Sequence, residues 1–387
     1  EQDEALVDLA PVNIERLAVL LPQSGANERL GDALKAGILA GLDKQTISDT
    51  VFIDENLSTQ VLSEQLSQFN PDFVIGPLLK ANIDKLAQAK TLIDTPTLHL
   101  NTFDGERLSL QHYFFALSPE HEVQQALEHF LAKGYQKPML LAPNNANGQR
   151  LVDYFNIQWQ RYSETKPQIG FYNDNKDMPN TITSLLEVDK SKQRIKTVKS
   201  LFKQEVESET RSRSDIDAIY ILGDAIETRL IKPYLDVNVS TFAQRIPLYA
   251  SSKSHSKQID RTDKGDLEGL YFTELPWMLN ATVKQHNLRN QYNTLWPENA
   301  DISQRLFAMA YDAVSVLSDI RQLSVMPGNK FTGLSGKLSV NTSGHIERTL
   351  DWAQYTNRRI KAVQLETKQP VPLFMQSANE SNTLTFD

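Results

Sequence analysis

The chain contains no cysteine. That excludes disulfides, thiolate metal sites and cysteine nucleophiles within these 387 residues, and it does not choose a compartment. Glycine is scarce too, with 16 residues against the roughly 7% usual in globular chains, so collagen-like and glycine-rich low-complexity readings fail. Positive charge is in deficit. The 40 Lys and Arg against 48 Asp and Glu leave a net charge of −8, whereas a general nucleic-acid binder needs a basic face to release counterions. No apolar run approaches the ~18 residues of a membrane-spanning helix, and runs such as Leu17–Pro22 and Tyr113–Leu117 are strand-sized. What is present is an ordinary globular balance, 40% hydrophobic and 23% charged, long enough for two or three domains. The start, Glu1-Gln2-Asp3-Glu4, has no Met, signal segment or lipidation cysteine, and a piece of something longer is expected.

Short apolar runs alternate with helical patterns along the chain. Arg16–Leu21 (RLAVLL) reads as a buried parallel strand, and Leu30, Leu34, Ile38 and Leu42 then share one helix face. Strands are expected at Thr50–Ile53, Asp72–Ile75 and Thr97–Leu100. Between them lie a helix capped by Ser58, with Val61, Leu62 and Leu66 inward, and a second helix at Ile83–Leu92. The rhythm restarts at Tyr113–Leu117, followed by Ser118-Pro119-Glu120, a helix start. Further strands are read at 139–141, 168–172, 218–222 and 246–249, with helices at 148–162 and 226–235. Strands separated by helices specify βαβ units, so the expected fold class is α/β, two doubly wound parallel-sheet lobes. Residues 334–346 read as a hairpin with a glycine turn, followed by a strand at 359–365.

Residues 174–215 interrupt the pattern as a long polar insert. In it Lys190, Lys192, Arg194, Lys196, Lys199 and Lys203 follow one another without an acid, and then come Glu205, Glu207 and Glu209. A solvated charged helix is the plain reading, and a docking face for an acidic partner is the other.

Catalytic and phosphate-binding signatures are absent: no G-x-G-x-x-G after a strand, no G-x-x-x-x-G-K-[ST], no H-E-x-x-H and no G-x-S-x-G. His121 and His129 stand eight apart, which is not a metal-ligand spacing on a helix, and structural or solvent-facing roles are expected for all seven histidines. Two S-x-x-K matches, at Ser200–Lys203 and Ser254–Lys257, lack the K-T-G partner of penicillin-recognising serine enzymes. Asp215 and Asp217, flanking a strand entrance, read as capping or solvated carboxylates rather than an acid–base pair. No enzyme, cofactor or metal site is expected.

Four strings resemble the type I periplasmic-binding-protein fold of the leucine/isoleucine/valine-binding class: RLAVLLPQSG at 16–25, DFVIGPL at 72–78, ALSPEHE at 116–122 and FTGLSGKLSVNTSG at 331–344. Four others are similar to the LppC/LpoA family: RSRSDIDAIYILG at 211–223, TRLIKPYLDV at 228–237, IPLYASSKSH at 246–255 and FTELPWML at 272–279. The resemblance runs over roughly residues 15–375. It implies the C-terminal domain of a periplasmic, outer-membrane-anchored lipoprotein that stimulates a class A penicillin-binding protein in peptidoglycan cross-linking. Membrane contact would then come only through a lipid on the missing N-terminal part. The implied division is a linker at 1–14, one lobe from 15–117 plus about 247–323, a second from 118–246 plus about 324–375, and a tail at 376–387. The isolated domain is expected to be a monomer with no nucleic-acid partner.

The binding-protein template implies a ligand cleft at the carboxyl ends of the strands. Topology places Gln23, Ser24, Leu78, Lys80, Asn101, Thr102, Asn145, Asp224 and Ser252 there. Amino-acid-binding relatives place hydroxyl residues just after Gly-Pro to hold the ligand carboxylate, but here Gly76-Pro77 is followed by Leu78-Leu79-Lys80-Ala81. A different ligand or an empty cleft is expected, with Lys80 supplying a charge if it turns inward. The alternative function is a solute-binding protein holding a small polar ligand. Trp277 is a candidate partner contact, or else a packing residue.

Overall fold

The computed structural model describes residues 12–367, apart from 44, 46, 108, 202–209, 240–244, 280–282, 297–299 and 327. The expected tail and most of the expected linker lie outside these residues. Ile14, however, is buried in the first core, so the folded part includes the end of that linker.

The chain forms two compact units and crosses between them three times, at 118/119, 274/275 and 350/351. The first segment carries β1 (Arg16–Leu21), α1 (Glu28–Leu42), β2 (Asp49–Asp54), α2 (Thr59–Phe69), β3 (Phe73–Ile75), α3 (Lys80–Ala89), β4 (Thr97–His99) and β5 (His112–Phe115). The second carries α4 (Pro119–Lys133), β6 (Pro138–Pro143), α5 (Ala146–Trp159), β7 (Gln168–Tyr172), α6 (Met178–Leu185) and α7 (Val188–Leu201). It continues with β8 (Ala218–Ile221), α8 (Ala225–Asn238), β9 (Leu248–Ala250), α9 (Arg261–Asp266) and β10 (Tyr271–Glu274). The third holds α10 (Val283–Leu295), α11 (Asp301–Ser315), α12 (Ile320–Val325), β11 (Phe331–Thr332), β12 (Lys337–Val340) and β13 (His345–Thr349). The last adds β14 (Asp351–Thr356) and β15 (Arg359–Val363).

Unit 1 is an eight-stranded sheet ordered β11-β12-β13-β5-β4-β3-β1-β2. It is parallel from β2 to β13, and the β11–β12–β13 meander is antiparallel. β1 lies between β2 and β3, which is why its run is apolar without alternation. Leu17, Val19 and Leu21 join Leu34 and Ile38 of α1 and Met309 and Val314 of α11, while Ala18 and Leu20 join Leu62, Leu66 and Leu86. α1 and α11 pack closely because Gly37 has no side chain: a Cβ there would stand 2.3 Å from the Phe307 carbonyl oxygen.

Unit 2 is a seven-stranded sheet ordered β15-β14-β10-β9-β8-β6-β7, parallel from β7 to β10, with β14 and β15 antiparallel at one edge. Phe130, Phe155, Trp159, Tyr220 and Tyr249 form an aromatic core with α4 and α5.

The division differs from the expected one at two crossings. Residues 247–274 belong to unit 2, because β9 and β10 extend the ladder from β8, and residues 324–350 belong to unit 1, because β13 pairs with β5. Both are pairings between distant segments, which local periodicity does not report. One local expectation also changes: Val61 stays on the solvent side of α2, leaving Leu62 and Leu66 to pack. The 174–215 insert carries the expected charged helix as α7, with only Val188 and Ser191 buried, and a further helix, α6, before it. Lys203, Glu205, Glu207 and Glu209 lie outside the described residues. No helix among the described residues is long and apolar enough to cross a membrane.

Candidate functional site

Of the unit 1 residues expected at the strand ends, Gln23, Ser24, Leu78, Asn101 and Thr102 come together in one hydrogen-bonded network, and Lys80 does not. The Gln23 N–H donates to Asp54 Oδ1 (3.0 Å), and Asn56 Nδ2 donates to the Ser24 carbonyl (2.8 Å). Asn101 Nδ2 donates to the Leu78 carbonyl (2.8 Å), and Asn101 Oδ1 accepts from the Thr102 N–H (2.9 Å). At the centre lies a residue that the sequence reading missed, Glu55, only 1% exposed. Its Oε2 accepts from the Leu78 N–H (2.6 Å), and its Oε1 accepts from the Leu79 N–H (2.9 Å) and Asn82 Nδ2 (3.1 Å). Burial pushes the Glu55 pKa upward, and these three donors act against that.

This geometry has a direct chemical meaning. The backbone donors after Gly76-Pro77, at the N-terminus of α3, form a ready carboxylate site. Here the chain fills it with its own carboxylate. Leu78 is therefore corrected as a ligand candidate: its N–H is satisfied by Glu55 and its side chain packs into the unit 1 core. Lys80 is corrected as well, since it turns to Asp104 in an exposed ion pair.

The unit 2 candidates are likewise occupied by the fold. Asn145 caps α5 through the Gly148 N–H (2.9 Å), and Asp224 forms a capping box with Glu227 at the start of α8. Ser252 is buried, and its N–H and Oγ both donate to Glu122 (2.6 and 2.7 Å), which also accepts from Thr273 Oγ1 (2.5 Å). Glu122, missed at the sequence level, thus does in unit 2 what Glu55 does in unit 1. A separate cavity of about 550 Å³ in unit 2 is lined by Lys232, Asp236, Arg245, Pro247, Glu268 and Tyr271 among others, and holds none of the nine candidates. Lys232 is paired there with Asp236 at 2.5 Å.

A third buried carboxylate explains the 331–344 string. Asp312 of α11 accepts from the Leu334 N–H (2.8 Å), the Ser335 N–H (2.7 Å) and Ser335 Oγ (2.5 Å). A Cβ on Gly333 would meet this carboxylate at 2.3 Å, so the loop needs glycine there. Burial pushes the Asp312 pKa up to about 6, against the Ser335 and Leu334 donors and the charge of Arg348.

Trp277 is corrected as a partner contact. It is fully buried among Phe307, Tyr292 and Leu334, with the Arg289 guanidinium 4.7 Å above its ring. The S-x-x-K serines are turned to backbone: Ser254 Oγ donates to the Ser251 carbonyl and Ser200 Oγ to the Thr197 carbonyl, each at 2.7 Å. Asp215 pairs with Arg213 and Lys137, and Asp217 accepts from the backbone of Gln136 and Lys137. Among the histidines, His99 contacts His112 (3.1 Å), His129 bridges Tyr249 and the Glu366 carbonyl, and His255 pairs with Glu274 (2.6 Å). Among the described residues, no group of three or more His, Asp or Glu is placed to hold a metal ion.

A family model described as "LppC putative lipoprotein" matches residues 3–358. The chain belongs to the LppC family. Its relatives include the penicillin-binding protein activator LpoA of Vibrio cholerae, 31% identical over 364 residues, which cover 91% of this chain and 59% of that protein. The LpoA of Photobacterium profundum is 31% identical over 362 residues, 92% of this chain and 58% of that protein. This chain therefore spans under two thirds of the length of these curated relatives. Among solved structures it is similar to the C-domain of Haemophilus influenzae LpoA, a regulator of PBP1A: TM-score 0.72, 25% identity, 90% of this chain and 100% of that one. The leucine-binding protein LivK of Thermotoga maritima, 14% identical with a TM-score of 0.51 over 91% of this chain and 98% of its own, shares the fold.

Proposed function

We propose that this chain is a non-catalytic regulator that binds a class A penicillin-binding protein and stimulates peptidoglycan cross-linking. It would act in the periplasm as part of a lipoprotein anchored in the outer membrane. The observation that carries this reading is the likeness to the H. influenzae C-domain, whose whole length is matched and which is described as a regulator of PBP1A. The V. cholerae and P. profundum relatives, named as activators, support it. An activator must bind the active conformation of its enzyme more tightly than the inactive one, because equal affinity shifts nothing.

The site geometry weighs against the alternative, a solute-binding protein. A free carboxylate ligand competes in unit 1 with Glu55, which is already held by three donors, and the Ser252 donors in unit 2 face Glu122. A thermal-shift screen with free amino acids and muropeptides separates the two readings. A solute at one hundred times its Kd stabilises its binder by about 3 kcal/mol. The regulator reading expects no shift from any of them, and one clear shift would restore the solute-binding reading.

A further inference from the structure

Two helices of unit 2 carry unusual exposed faces. α8 packs inward through Thr228, Ile231, Lys232 and Leu235. Its opposite side presents Ile226, Leu230, Tyr234 and Val237, spaced four, four and three residues apart, which is one continuous stripe on a helix. All four are exposed, Ile226 at 59% and Val237 at 83%. A soluble surface helix ordinarily places polar residues there.

α7 departs in a different way. Five of its fourteen residues are basic and one, Asp189, is acidic, in a chain whose net charge is −8. Only Val188 and Ser191 are buried. Lys190 reaches Glu187 (3.0 Å) and Lys192 lies 3.8 Å from Asp189, while no carboxylate among the described residues pairs with Lys196 or Lys199. Lys192, Lys196 and Lys199 stand in one row, a like-charge arrangement that weakens a helix by a few tenths of a kcal/mol per pair. Leu201 is 74% exposed at the end of this helix.

α6 packs against both helices. At about 10 Å per packed helix the axes of α7 and α8 lie no more than about 20 Å apart where both pack on α6, within the footprint of a standard interface of about 800 Å² per partner. The stripe alone, one helix long, is too narrow for that. We infer that the outer face of α7, α6 and α8 is a docking surface for an acidic protein partner, which sets apolar side chains on the α8 stripe and carboxylates against the α7 row. Charge complementarity selects the occupant: a basic row stays solvated against a basic or neutral surface, and an acidic one relieves its self-repulsion. The assignment deepens the proposed function, on which it rests, by giving the synthase a place to bind.

The test titrates a purified class A penicillin-binding protein with three forms of this chain, at about 50 mM and about 300 mM salt. These are the unaltered chain, Lys192→Glu/Lys196→Glu/Lys199→Glu, and Leu230→Asp/Val237→Asp. Lys90→Glu/Lys337→Glu, on unit 1, serves as the charge control. All substitutions are at exposed positions, and circular-dichroism melts verify folding. The expected result is a loss of affinity of about tenfold or more in both unit 2 variants, an intact control, and salt sensitivity that disappears with the lysines. Binding by the unaltered chain that neither unit 2 variant weakens overturns this assignment and leaves the function standing. No binding by the unaltered chain overturns the function and, with it, the assignment. If the variants lose only adhesion to vesicles of anionic lipid, or only a self-association seen by sedimentation, the acidic-partner assignment is overturned in favour of a membrane or of a second copy.

Discussion

Replacing Glu55 by Ala removes the acceptor of two backbone N–H groups and one amide. Two buried donors without partners cost about 1–3 kcal/mol each, so a loss of about 3–5 kcal/mol is expected after partial relief by water. For a unit of this size each kcal/mol moves the midpoint by about 2–4 °C, placing the expected shift on the order of 10 °C. Glu55→Gln keeps one acceptor oxygen but turns an NH₂ toward a backbone donor, and it should fall between Ala and the unaltered chain. Differential scanning calorimetry of the three proteins checks the order. A second arm adds formate or acetate. If Glu55 occupies a carboxylate site, the Ala variant regains part of its midpoint with small carboxylates while the unaltered chain does not respond. A midpoint for Glu55→Ala within about 2 °C of the unaltered chain would refute the reasoning, since that is less than one unsatisfied buried donor should cost.

Other consequences follow from the same structure. Gly333→Ala and Asp312→Ala should each cost about 2–4 kcal/mol in urea melts, and the double variant less than the sum, because removing the carboxylate makes room for the new methyl group; strict additivity would contradict the contact. Burial together with the neighbouring His112 lowers the His99 pKa to about 3, so the unfolded chain takes up a proton below about 6.5 that the folded one refuses. Stability should therefore fall as pH drops through that window, by about 2 kcal/mol at about pH 5, and His99→Leu should flatten that part of the profile. Trp277→Ala should lower stability by about 3–5 kcal/mol yet leave partner affinity unchanged where the protein is folded, as isothermal titration at low temperature would show.

Much of the fold was legible because it is local. The unbroken apolar run of β1, the four-residue spacing in α1 and the N-cap at Ser58 each depend on neighbours within a few positions, and the structure carries all three. The lobe boundaries were misplaced where ladder partners are remote: β13 pairs with β5 more than two hundred residues earlier. The candidate site shows the same divide. Topology places Gln23, Ser24, Leu78, Asn101 and Thr102 together beyond the carboxyl ends of β1, β3 and β4, but Glu55 was missed because its donors lie 23 and 24 residues onward. Its sequence signal was Asp54-Glu55-Asn56 at the end of a strand, an acidic group placed to meet loop donors. The absent hydroxyls after Gly76-Pro77 were the other half of that signal. Trp277 misled because composition alone does not distinguish an interface tryptophan from a buried one.

The most direct test of the central claim is the cross-linking rate of a purified class A penicillin-binding protein, followed as this chain is titrated in and its binding is measured in parallel. The account predicts saturable binding with a rate that rises along the same curve. Binding without stimulation, or no binding at all, would contradict it.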